Sequence, residues 1–149
     1  PDIFCICTPS VTTERLLIHP IALICTASHG LLLFLLGLAV SIQRFRNKIG
    51  VGGADDKHAL INRVIRAHAN TAEFAPFLAV LFLYLGAQAP GALTLGLIVA
   101  ATVSRLAIVV GLIAFPSLSR PNPARFAGAL GTYLCGAALS IQLLCQLAA

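Results

Sequence analysis

The chain has 149 residues, 58% of them apolar and only 10% charged, with a net charge of +5. Soluble domains carry about 25% charged residues, so a water-soluble fold of this length has no way to hide its apolar surface, and lipid is the solvent that the composition requires. The Lys and Arg residues lie between apolar stretches, with no aromatic interleaving and no zinc-finger spacing, which reads as a membrane topology signal and excludes a nucleic-acid partner.

Residues 1–15 read as an N-terminal extension, and residues 16–149 as one membrane domain. The extension has no basic segment ahead of an apolar core, so it does not read as a cleaved signal peptide. The chain contains no methionine, which is what a trimmed start would leave. Cys5 and Cys7 lack partner ligands for a metal, and Cys25, Cys135 and Cys145 fall in apolar spans, where cysteine behaves as a small hydrophobe. No metal site is expected.

The first span is expected over residues 16–42, which include no Asp, Glu, Lys or Arg; about 20 apolar residues suffice to cross a bilayer core. Pro20 falls near its start, where a missing N–H is tolerated. Residues 43–58 then read as a polar loop, with Asp55 and Asp56 as an N-cap and first-turn acid for the next helix. The second span is expected over residues 59–86 and is polar in its first half. Pro90-Gly91 marks a tight turn. The third span, 92–115, is apolar except for Arg105, and three prolines between Pro116 and Pro123 enforce a loop. The fourth span, 125–147, carries no charge after Arg125. Backbone groups in lipid must be satisfied within the element, so the spans are helices. The expected fold is all-α, an integral membrane four-helix bundle with up-down topology. The small residues of the fourth span, among them Gly128, Gly131 and Gly136, favour close helix contact and oligomerisation.

Arg44, Arg46, Lys48, Lys57, Arg63 and Arg66 lie in or beside the first loop, and Arg120 and Arg125 in or beside the third. Four spans put both basic loops on one face, which the positive-inside rule makes cytoplasmic, with both termini on the opposite side.

The second span carries the informative stretch. Arg63, Arg66, Asn70 and Glu73 are three or four residues apart and share one helix face, while His68 points roughly opposite. At about 1.5 Å per residue, Glu73 lies roughly 20 Å below the helix start, and Arg105 comes to a similar level on the third helix. The two are expected to pair, since each alone is costly in hydrocarbon. Pro76, three residues beyond Glu73, is expected to bend the helix and widen a cleft. Arg44, Arg66 and Arg125 are more cations than the one glutamate can neutralise, so the cluster suits an anionic ligand gripped by arginine forks.

Arg66-Ala67-His68-Ala69-Asn70-Thr71-Ala72-Glu73, followed by Pro76, resembles the Arg-Ala-His-x-Asn-x-x-Glu pattern of the membrane-associated proteins in eicosanoid and glutathione metabolism, the MAPEG family. Gln43-Arg44-Phe45-Arg46, Ser104-Arg105 and Pro123-Ala124-Arg125 extend the resemblance over most of the chain. It implies a homotrimer of four-helix protomers that binds glutathione as co-substrate at subunit interfaces. Carried over by position, Arg44, Arg66, Asn70, Glu73 and Arg125 hold glutathione, Arg125 activates its thiol, and His68, Arg105 and Tyr133 support the site. The implied activity is a glutathione transferase, with peroxidase or isomerase variants, acting on an apolar electrophile. The alternative is a non-catalytic lipid-binding or adaptor protein of the same fold. Family members carry tyrosines or a small hydroxyl residue where this chain has Leu112, Phe126 and Ala129, and Tyr133 lies one turn beyond Ala129.

Overall fold

A computed structural model of the chain describes residues 18–54, 59–115 and 122–146. The expectations for residues 1–15, for Asp55 and Asp56 at the start of the second helix, and for the cations Lys57 and Arg120 lie outside the described residues. Four helices form: α1 (Pro20–Asn47), α2 (Leu60–Gly86), α3 (Ala92–Ile113) and α4 (Pro123–Cys145). Each is long and apolar enough to cross a membrane. Large apolar side chains point outward along all four, including Phe34, Phe77, Leu93, Leu134 and Ile141. A patch of that extent is the mark of a surface meant for lipid or another chain.

Hydrogen bonds at the helix ends set the topology. His19 N–H donates to the Gly86 carbonyl at 2.9 Å, which brings the start of α1 to the end of α2. Arg63 Nη1 donates to the Ile113 carbonyl at 2.6 Å and joins the start of α2 to the end of α3. Asn122 caps the first turn of α4 and also donates to the Gly111 carbonyl near the end of α3. Thr94 and Gln142 join the start of α3 to the end of α4. The order is therefore up-down-up-down. The loops after α1 and after α3 share one end of the bundle, and the turn after α2 shares the other with both chain ends of the helical domain.

Helix α3 packs most extensively on α4, and α1 on α2; α2 also touches α3. Among the described residues no contact joins α1 and α4, so these two helices stand on opposite sides of the α2–α3 pair. Two apolar clusters fill the interior. The larger, nearer the α2–α3 turn, includes Leu81, Phe82, Ile98 and Leu139. The smaller, toward the basic loops, includes Leu36, Ala67, Ile108 and Leu112. On α2 and α3 the buried Thr71 and Arg105 fall between them in sequence.

The helix limits differ from expectation for physical reasons. Helix α1 starts at Pro20, with His19 as its cap, and continues past residue 42 to Asn47, so Gln43 to Arg46 are helical and not loop. No breaker intervenes before Lys48, which ends the helix in the left-handed conformation at φ 54°. The basic residues Arg44 and Arg46 suit the negative end of the helix dipole. Helix α2 is capped by Ala59 without a side-chain bond. It runs unbroken through Pro76, where the proline ring displaces only one bond of the ladder. Helix α4 opens two residues before its expected start, because Asn122 is the cap and Pro123 suits the first helical position.

Candidate functional site

The cationic residues of the motif gather at the end of the bundle that carries the two basic loops. Arg44 lies in the last turn of α1, Arg66 in the second turn of α2 and Arg125 in the first turn of α4. Arg66 and Glu73 are exposed on the outer face of α2, and Arg44, Asn70 and Arg125 are half-buried. The expected α2 stripe therefore exists, with one exception. Arg63 is withdrawn from it, because its guanidinium caps the carbonyls of Ile113 and Phe115 at the end of α3. Helix C-termini leave carbonyls without partners, and an arginine fork satisfies them.

The expected Glu73–Arg105 pair does not form. Arg105 is 1% exposed, and its Nη2 donates to Asn70 instead, at 2.7 Å to the backbone carbonyl and 2.9 Å to Oδ1. Its guanidinium carbon lies 5.1 Å from the centre of the Phe74 ring, a cation–π distance. Equal depth brought Arg105 to the right turn of α2, but the face decided the partner. Asn70 turns partly inward toward α3, whereas Glu73 faces out and reaches Arg105 only through its field. Phe74 also meets Tyr133 of α4, with ring centres 5.7 Å apart. Asn70, Phe74, Arg105 and Tyr133 thus form a contiguous group across α2, α3 and α4.

His68 does point away from the stripe: its ring lies over Gly37 of α1, with Nε2 3.3 Å from where a Cβ would stand. Arg125 is seated in the same manner. A Cβ on Gly111 would come within 2.7 Å of Arg125 Cγ and 3.0 Å of its backbone N. Gly111 thus shapes the site, as does Phe74, and neither carries a signal in the sequence. A glycine in an apolar run gives no local sign of which neighbour needs its space. Gly111→Ala is expected to push the start of α4 outward and destabilise the bundle by about 1–3 kcal/mol, seen as a lowered melting temperature in detergent; an unchanged melting temperature would mean that α4 is not seated on Gly111.

Among the described residues, the arrangement sets the guanidiniums of Arg44, Arg66 and Arg125 against one carboxylate, Glu73. Arg44 and Arg125 lie on helices that do not meet among the described residues, and Tyr133 is 56% exposed on α4. No group of His, Cys, Asp or Glu that could hold a metal ion occurs among the described residues.

No curated protein and no solved structure matches this chain. The arginines on α1 and α4, the stripe on α2 and Arg105 on α3 all fall within residues 22–145, the segment that matches the model of the MAPEG family. That match covers most of the chain, with α2, α3 and α4 entire and all but the first two residues of α1, and the protein belongs to the MAPEG family.

Proposed function

We propose that this protein binds glutathione at the basic end of the bundle and transfers its thiolate to an apolar electrophile. The observation that carries the reading is the stripe Arg66, Asn70 and Glu73, which runs down α2 to its middle from the end where Arg44 and Arg125 lie. Glutathione has two carboxylates and one ammonium, so several guanidiniums and one carboxylate are complementary to it in charge. Arg44 and Arg125 stand on opposite sides of the α2–α3 pair, which supports a site completed by a neighbouring copy in a homotrimer. The basic loops would face the cytoplasm under the positive-inside rule, with both termini across the membrane.

In the reaction, the glutathione thiol gives its proton to water, and the sulfur forms a bond to the electrophilic carbon of a substrate that enters from the lipid, while that carbon's bond to its leaving group breaks and the group departs as an anion with the electron pair. The guanidinium of Arg125, at the positive end of α4, would stabilise the thiolate. A second reading, lipid binding or an adaptor role without catalysis, is favoured by Leu112, which is buried, Ala129, which packs in the apolar cluster, and Phe126, which is exposed. None of the three offers a hydroxyl to the thiol.

Calorimetric titration of glutathione into the detergent-solubilised protein tests the first reading. Saturable binding with turnover of a model electrophile supports it; binding without turnover favours the second reading, and no binding at millimolar glutathione removes the first. Glu73→Gln is expected to weaken glutathione binding about tenfold, by removing the partner of the ammonium. Its melting temperature should hold, because Arg105 is bonded to Asn70 and not to Glu73.

A further inference from the structure

The bond between Arg105 and Asn70 constrains more than the packing of α2 on α3. A guanidinium has only donors. Whatever it bonds on a carboxamide must be the oxygen, so Asn70 presents Oδ1 inward to Arg105, and its NH2 is left for the opposite side. Arg105 cannot release that hold by swinging out. It is fully buried, its Nη2 also binds the Asn70 carbonyl, and the Phe74 ring lies against its guanidinium. Asn70 itself is half-buried between the exposed Arg66 and Glu73, so its NH2 belongs to the surface those residues make.

Building on the glutathione reading, we infer that Arg105 is a positioning residue: it locks the Asn70 amide with only donors toward the ligand. This assigns a ligand carboxylate or peptide carbonyl to Asn70 and leaves the ammonium to Glu73. A freely rotating asparagine would accept either group; a locked one rejects an ammonium, because two like-signed hydrogen-bond donors would face each other.

The test combines glutathione titration with thermal unfolding for the full-length protein and four variants: Asn70→Asp, Asn70→Ala, Arg105→Met, and the double variant Arg105→Met with Asn70→Ala. Asn70→Asp keeps an acceptor for Arg105 and removes the outward donor. It should bind glutathione about 10- to 100-fold more weakly while melting no lower than wild type. Tighter binding by Asn70→Asp would place an ammonium at this position and overturn the assignment, and so would unchanged affinity. A sharp fall in its melting temperature would mean that the Arg105–Asn70 bond is not as described. In the affinity cycle, the losses from Arg105→Met and Asn70→Ala should be strongly non-additive, since one acts through the other; additive losses would remove Arg105 from positioning. Should Arg105→Met fail to fold, the Asn70→Asp result decides alone. Failure of wild type to bind glutathione would instead remove the parent reading, and that outcome is visible before any variant is made.

Discussion

Arg125→Ala should conjugate glutathione about 10- to 30-fold more slowly at pH 7 with glutathione saturating. A thiol of ordinary pKa, about 8.5, is only a few per cent ionised at pH 7. A cation at contact distance lowers such a pKa by about 1–3 units, which takes the thiolate from a few per cent to about a quarter or more. Removing the cation returns it to the unassisted fraction, and the gain in ionisation limits the loss to about 30-fold. The sign of the pH dependence follows. The variant's thiol pKa is higher, so the deficit is full below the wild-type thiol pKa and disappears above that of the variant. Rates measured from pH 6 to pH 10 should therefore converge at the alkaline end. A constant deficit at every pH would assign Arg125 to binding alone, and an equal rate at pH 7 would remove it from the reaction. The melting temperature serves as control: Arg125 is half-buried in the first turn of α4, and truncating its side chain leaves the Gly111 contact with the α4 backbone in place.

Gly128→Val should disrupt the bundle itself. Within a bilayer, helices associate by close packing more than by the hydrophobic effect, so small residues at a crossing are decisive. A Cβ on Gly128 would stand 2.7 Å from the Ser104 carbonyl oxygen, 2.7 Å from Ile108 Cγ1 and 2.9 Å from the Ile108 backbone N. Two of these three are backbone atoms of α3, which cannot turn aside. One turn on, Gly131 faces the Ser104 side chain, and Gly111 of α3 faces Arg125 of α4. The three contacts keep one antiparallel register along the most extensive helix pair in the protein. Overpacking costs about 1–3 kcal/mol, and more where backbone must move, so loss of the folded protein on size-exclusion chromatography, or a large fall in melting temperature, is expected. Leu134→Val, on the outer face of the same helix, should change neither. A Gly128→Val protein that melts like wild type would show that α3 and α4 do not cross in this register.

Much of the molecule is legible in its amino-acid sequence. Charge-free apolar stretches longer than a bilayer requires can hardly be other than spans, and their order with short connections leaves antiparallel neighbours. The boundary at Asn47 is less legible: Gln43 to Arg46 look like loop by polarity, yet a basic last turn is what a helix C-terminus favours. The α2 stripe is legible because helical periodicity needs no tertiary information. Arg63 shares that periodicity but belongs to the end of α3, and nothing in its own helix announces this.

Residue type and spacing along single helices suffice for the local quantities: four apolar spans, their up-down order, the basic end, and the shared face of Arg66, Asn70 and Glu73. Which side chain meets which across helices is a matter of tertiary packing. Packing gives Arg105 to Asn70 instead of Glu73, sets His68 over Gly37, seats Arg125 on Gly111, and keeps α1 apart from α4. The difference has a geometric cause. Depth in a membrane is fixed by counting residues from a span's end, whereas partner choice depends on the rotation of each helix about its axis. That rotation is set by where the small residues of neighbouring helices allow their backbones to approach.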